Sequence, residues 1–457
     1  MNNNTSLKTI TKSGSKFSDF CFVVLLLFGF VGFGQTNYTG KIDEYMKAEA
    51  DIYNFSGTVL VKKNNKIIYL KAFGLADLEW NVPITMDTKF RICSISKTFS
   101  SACILILEQE GKLSVSDKLS KYIKDFPKGD KVTLHMMLSN TSGIGDYYQN
   151  EFPDEKDTII SVIKKSKYTF EPGTDYEYSN SNYFLLAYIV EQVSKQTYTS
   201  FINQHIFSKT NMTNTLVDNF DTIVPKRAVG YYPEKNYYVH EDNHYLPNAM
   251  GTGDILSTVE DLSKWDDALN GNSILNEKSK AKMFTSYNTK EPYGYGFNVW
   301  TFQNKKIFQK TGGDGGFKTS FLKMPNDSIC VIALSNNMSN SVIISFAIAA
   351  MLNNANVILP KKHIEKSIDT TILKKYVGVY KENYLGISIE LKIIAKNGKL
   401  YEYINENNRE LIPESEMSFL YPDRQDRQLE FETDAKGNVI KAWKINAGLK
   451  VDLVKLE

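Results

Sequence analysis

The apolar positions first take a strand-like arrangement over residues 56–74. Two β-runs, Thr58-Val-Leu-Val61 and Ile67-Ile-Tyr-Leu70, meet at Asn64-Asn65, which predicts a hairpin. The pattern changes after residue 94. Phe99, Ala102, Cys103, Ile104, Leu105, Ile106 and Leu107 would cover nearly every side of a helix that Gly111 ends. A helix apolar all round belongs in the interior. Further helices are expected over Tyr183 to Val193 and Thr258 to Leu269. Strand-like runs return at Phe297 to Phe302, Lys306 to Lys310, Thr319 to Met324 and Ile329 to Ser335. A last apolar helix is expected at about Val342 to Leu352.

Strands at both ends with helices between predict one antiparallel sheet, built from the two ends and covered by helices. The middle forms a helical lobe, and an active site lies where lobe and sheet meet. Residues 35–355 make up this unit. Pro360-Lys361-Lys362-His363 reads as a linker, and short β-runs follow with Asn397-Gly398 and Lys436-Gly437-Asn438 as turns. Residues 356–457 are therefore expected to form a small, separate all-β domain, barrel or sandwich.

The N-terminus changes the picture of compartment. A polar start with Lys8, Lys12 and Lys16 precedes a short apolar run from Cys21 to Phe33, then Gly32-Phe33-Gly34. The run is short of the ~20 residues of a spanning helix. Residues 1–34 thus read as a cleavable signal peptide, with Gln35 as the first mature residue and no stable membrane span after processing. The protein is expected to be exported to the periplasm or beyond. The 457 residues carry a formal charge of +2; residues 1–34 hold three lysines and one aspartate, so the remainder is neutral. That balance gives no electrostatic basis for nucleic-acid binding. Cys93, Cys103 and Cys330 show no metal-type pairing and read as small buried hydrophobes.

Candidate chemistry centres on Ser94 and Lys97. At i and i+3 they share one face at the start of the buried helix, where free N–H groups favour an alkoxide or oxyanion. The tetrapeptide alone is weak, since Ser-x-x-Lys recurs at Ser13, Ser161, Ser279 and Ser320. Two other clusters add weight. Tyr178-Ser179-Asn180 lies in a polar loop before a helix. A tyrosine there can relay protons if an ammonium stabilises its phenolate, and an asparagine can orient an amide. Lys310-Thr311-Gly312-Gly313 ends a strand, where glycines admit a ligand to the backbone and Lys310 and Thr311 can bind a carboxylate. His135, His205, His240, His244 and His363 lie outside all three clusters, so a Ser-His-Asp triad has no evident base. His240 and His244 have i,i+4 spacing in a segment that reads as a surface loop, and no metal site is assigned.

Ser-x-x-Lys, Tyr-x-Asn 84 residues later and Lys-Thr-Gly 132 residues after that form a specific combination. Over about residues 40–355 the chain resembles the serine β-lactamase and penicillin-recognising hydrolase family, in its class C branch, which also holds D-alanyl-D-alanine carboxypeptidases, D-aminopeptidases and esterases. Flanking features agree: Phe73-Gly74, Phe90-Arg91, Thr141-Ser142-Gly143, Gly253-Asp254-Ile255-Leu256-Ser257-Thr258 and Tyr295-Gly296-Phe297. Two positions depart. Asn140 stands where His often precedes Thr-Ser-Gly, and Lys310 replaces the His common in esterase-like members.

The resemblance implies a β-lactamase/transpeptidase-like α/β fold: an antiparallel sheet flanked by helices, with a helical lobe. It implies that Ser94 forms an acyl-enzyme, with Lys97 and Tyr178 sharing the base role. The backbone N–H groups of Ser94 and Gly313 would form the oxyanion hole, and Asn180, Lys310, Thr311 and Gly312 would bind substrate. No cofactor is implied. The expected partner is a small molecule or a peptidoglycan-derived substrate: a β-lactam, a D-amino-acid peptide or a small ester. The competing expectation is a catalytically silent relative that binds peptidoglycan or a protein partner; the full set of motif residues argues against it.

Overall fold

The structure, a computed structural model, describes residues 37–456 apart from 148–154, 220–221, 236, 241–248, 386, 405–406 and 423. The expected signal peptide lies outside the described residues, as does His244. Among the described residues no helix is long and apolar enough to cross a membrane.

The hairpin forms as the pattern predicts. Strand Gly57–Lys63 pairs with Lys66–Phe73 across Asn64 and Asn65, which both have positive φ, a conformation that asparagine tolerates and a tight hairpin needs. Four later strands form a meander: Asn298–Phe302, Lys305–Asp314, Phe317–Met324 and Ile329–Ser335. The last of them pairs antiparallel with the first hairpin strand, Gly57 opposite Ser335 and Lys63 opposite Ile329. The two ends of this part of the chain thus close one six-stranded sheet.

Alternation along the central strands sends side chains to two cores. Val59, Val61, Val331 and Ala333 pack against helix Ser341–Leu352 and against a helix, Tyr38–Tyr53, that the apolar pattern had not singled out. That helix buries only Ile42, Tyr45, Met46 and Glu49, so its apolar stripe is narrow and interrupted. Leu60, Phe321, Ile332 and Leu334 face the other way, into the core shared with helices Ser96–Gln109, Asn180–Ser194 and Val259–Asn270. Thr258 starts the last of these by accepting a hydrogen bond from the Asp261 N–H.

Beyond residue 356 eight strands between Gly378 and Lys455 form a closed barrel in chain order. It closes where Tyr380 and Glu382 pair with Lys455 and Leu453. Leu391, Ile393, Leu400, Leu429 and Phe431 fill it, with Tyr376 packed against them. The barrel docks on the helical face away from the lobe. Tyr45 donates to the Ala447 carbonyl at 2.9 Å, the Ile358 N–H donates to the Gly448 carbonyl at 2.9 Å, and Leu449 joins the core under the two helices. Gly448 has φ +79°, and a Cβ there would fall 1.9 Å from the Ile358 carbonyl oxygen. The approach is therefore close enough to require glycine.

Candidate active site

A short strand, Phe90–Arg91, pairs with Ile255–Ser257 and delivers the chain to Cys93, whose φ of +49° turns it sharply. Ser94 follows on a single 3-10 turn, Cys93–Ile95, and the α-helix begins at Ser96. Ser94 is thus presented ahead of the helix, with Lys97 in its first turn. Lys97 is fully buried. Its Nζ lies 3.1 Å from Ser94 Oγ and donates to the Thr252 carbonyl at 2.8 Å. Burial pulls its proton affinity down to about 7, partly offset by the Asp146 and Asp254 carboxylates among others. Near neutral pH a large share of Lys97 is therefore free amine with its lone pair available to the serine.

Tyr178 completes the cluster. Lys310 Nζ donates to its hydroxyl at 3.3 Å and to the Tyr293 hydroxyl at 3.3 Å. Lys97 Nζ stands 5.0 Å from the Tyr178 ring centre and Lys310 Nζ 4.5 Å. Burial raises the Tyr178 phenol well above its ordinary range, opposed by a hydrogen bond with Ser94. Burial, with the Lys97 charge adding to it, holds Lys310 well below the usual lysine range. Both shifts disfavour the charged forms, so burial works against a phenolate held by two ammonium groups.

The loop bearing Tyr178 is gripped from one residue. Asn140 accepts from the Glu177 N–H through its carbonyl (3.1 Å) and from the Ser179 N–H through Oδ1 (3.3 Å). It also accepts from Asn182 Nδ2 at 3.2 Å. Its φ of +56° suits asparagine better than most residues. Asn180 opens the next helix, and Asp146 Oδ2 accepts from both its N–H (3.2 Å) and its Nδ2 (2.9 Å), which fixes the orientation of the amide.

Lys310, Thr311, Gly312 and Gly313 lie inside a strand that runs on to Asp314, longer than the sequence pattern predicts; the turn falls at Gly315-Gly316. Gly312 is where this strand meets the serine turn. A Cβ there would come within 2.5 Å of the Ile92 carbonyl and Thr319 Oγ1. Gly313 is exposed and Thr311 half-buried beside it.

Ser94, Lys97, Tyr178 and Lys310 therefore form one connected cluster. Asn180 stands next to it through the neighbouring Tyr178, and Thr311 to Gly313 continue the strand from Lys310. Each described histidine has its own partner elsewhere: His135 with Tyr295, His205 near Glu110, His240 with Glu79 and His363 with Glu414. Among the described residues no group of His, Cys, Asp and Glu is arranged to hold a metal ion. The sequence reading missed Asp146, Tyr293 and the Thr252 carbonyl. Asp146 follows Thr141-Ser142-Gly143 closely and could have been found there; a carbonyl has no residue-type signature.

This constellation, on a helix-covered antiparallel sheet with a lobe, defines a class of serine hydrolase. The Beta-lactamase family profile matches residues 42–347. The chain is 30% identical over 407 residues to Penicillin-binding protein 4* of Bacillus subtilis, covering 80% of this chain and 88% of that one. In structure it is similar to an octameric penicillin-binding protein homologue from Pyrococcus abyssi, with TM-score 0.66, 25% identity, and coverage of 91% of this chain and 99% of that one. A penicillin binding protein from Bacillus halodurans matches with TM-score 0.61 and 26% identity over 67% of this chain and 99% of its own. The chain belongs to the β-lactamase family of serine hydrolases, with the β-lactamase/transpeptidase-like fold and an added C-terminal barrel.

Proposed function

We propose that the protein hydrolyses an amide or ester through an acyl-enzyme on Ser94, and that its substrate is a β-lactam, a D-amino-acid peptide or a small ester. The observation that carries this reading is the buried Lys97 amine 3.1 Å from Ser94 Oγ. Lys97 takes the hydroxyl proton as Oγ bonds to the substrate carbonyl carbon. The oxyanion is met by the backbone N–H groups of Ser94 and Gly313. As the scissile bond breaks, the leaving amine or alcohol receives a proton through Tyr178, whose hydroxyl bridges Ser94 and Lys310. Water then releases the acyl group, and the serine regains its proton. Asn180, Lys310, Thr311 and Gly312 hold the substrate amide and carboxylate. No step needs a cofactor.

The names of the relatives support a penicillin-like or peptidoglycan-derived substrate, and the connected polar cluster supports turnover over silent binding. Export, with cleavage after Gly34, belongs to the same reading: N-terminal sequencing of periplasmic protein should begin at Gln35, and full-length chain in membranes would contradict it. The catalytic reading is tested by covalent labelling with a fluorescent penicillin and a fluorophosphonate, which should mark one peptide, the one containing Ser94.

A further inference from the structure

Gly253-Asp254 follows the turn that touches Lys97, and the mechanism above leaves Asp254 without a role. Asp254 is buried at 2% exposure. Its Oδ2 accepts from the Gly251 N–H at 3.0 Å, which closes a tight turn over Thr252. That turn aims the Thr252 carbonyl at Lys97 Nζ, 2.8 Å away. It is anchored from behind, where Ser100 Oγ donates to the Gly251 carbonyl at 2.6 Å and Thr252 Oγ1 donates to the Ala249 carbonyl at 3.0 Å. Gly251 has φ +71°, so the turn is one that glycine permits.

Asp254 Oδ1 makes no hydrogen bond among the described residues. A buried carboxyl with one oxygen unpaired costs stability, and an asparagine or serine could close the same turn. An acid at this position therefore points to a use for its charge. The ionisable groups that face it are Lys97 and Cys103 from the serine helix, Tyr198 from the short helix Tyr198–Ile202, and Asp218, just after the short strand Leu216–Val217. Lys97 is the cation among these. Asp218, whose own backbone N–H donates to the Asp254 carbonyl, is paired with Arg227.

We propose that Asp254 is a positioning residue for the Ser94 site: its carboxyl folds the turn whose Thr252 carbonyl holds Lys97, and its negative charge acts on the amine across that turn. The inference rests on Lys97 serving as the base. Burial holds the Asp254 carboxyl up at about 7, so it changes charge in the same range as Lys97. Ionised Asp254 favours the ammonium. It therefore delays the appearance of free amine as pH rises.

The test is the pH dependence of Ser94 acylation by a fluorophosphonate between pH 5 and pH 9 in the full-length protein. Asp254→Asn can still accept from the Gly251 N–H but carries no charge. Its acid limb should move to lower pH by about half a unit or more. Asp218→Asn removes a like charge, keeps Asp254 ionised to lower pH, and should move the limb the opposite way. An acid limb in Asp254→Asn that coincides with wild type overturns the proposal, because a purely structural turn would leave it there. If Asp254→Asn does not fold, the Asp218→Asn limb decides: an upward shift supports the proposal and an unmoved or lowered limb overturns it. Absence of Ser94 labelling in the wild type would instead reject the catalytic reading itself, so the two failures are distinct.

Discussion

Lys310 and Tyr178 share a hydrogen bond of 3.3 Å, and the same Nζ sits 4.5 Å from the centre of the tyrosine ring. In the proposed mechanism Lys310 would therefore have two duties, towards a substrate carboxylate and towards the phenol. Its proton affinity is held well below the usual lysine range by burial, and a bound carboxylate would raise it.

Removing it should cost more where a carboxylate is present. A charge-assisted hydrogen bond is worth roughly 1.5–3 kcal/mol, or about 10- to 150-fold in kcat/KM. Lys310→Ala should lose that much on a β-lactam or a D-Ala-D-Ala-type peptide and clearly less on a nitrophenyl ester. Equal losses on both would mean that its service to Tyr178 is the whole of its role.

Lys97 should make the protein less stable than it needs to be. Its proton affinity is lowered to about 7 by burial, from 10.5 in the unfolded chain. Between those values the unfolded chain binds more protons, so this group's contribution to stability rises with pH from about 7 to 10.5. Below about 7 both states are protonated and the full penalty is present. Lys97→Met should thus abolish acylation and yet gain more stability, relative to wild type, at pH 6 than at pH 9. Urea unfolding at the two pH values measures this; a variant equally affected at both would contradict the assignment.

Asn140 should act through Tyr178. Asn140→Gly keeps the left-handed backbone but loses the amide contacts to Ser179 and Asn182; Asn140→Ala loses the contacts and adds backbone strain of about 1–2 kcal/mol. Both should slow acylation. Only the alanine variant should show the additional loss of stability in urea, and identical unfolding midpoints would show that the backbone conformation carries no cost.

Much of this was legible in the chain because period and turn chemistry agree. Asn64-Asn65 and Gln303-Asn304 mark hairpins at residues with positive φ, and the all-round apolar pattern after Phe99 marks the central helix. The Ser94, Tyr178 and Lys310 clusters are legible because side-chain type declares them. Helix Tyr38–Tyr53 was not, since its burial is narrow. Nor were the groups that act through position: the Thr252 carbonyl, the Asp146 grip on Asn180, and the contact that only Gly312 allows between its strand and the serine turn. Those depend on long-range packing, which leaves no local pattern.

The barrel docks on the side away from the lobe, through Tyr45, Ala447 and Leu449. Residues 356–457 are therefore expected to support stability and not chemistry. Gly448→Val would drive a side chain against the Ile358 carbonyl and loosen the docking. Thermal unfolding should begin at a lower temperature while Ser94 labelling persists in the folded protein. Loss of labelling in a protein still folded at the assay temperature would show that the barrel completes the site.

Ser94 is proposed as the nucleophile, served by Lys97. Mass spectrometry after exposure to a fluorophosphonate tests it most directly. A single adduct is expected, on the peptide containing Ser94, formed faster as pH rises through about 7 and absent in Ser94→Ala. An adduct that survives Ser94→Ala would contradict it.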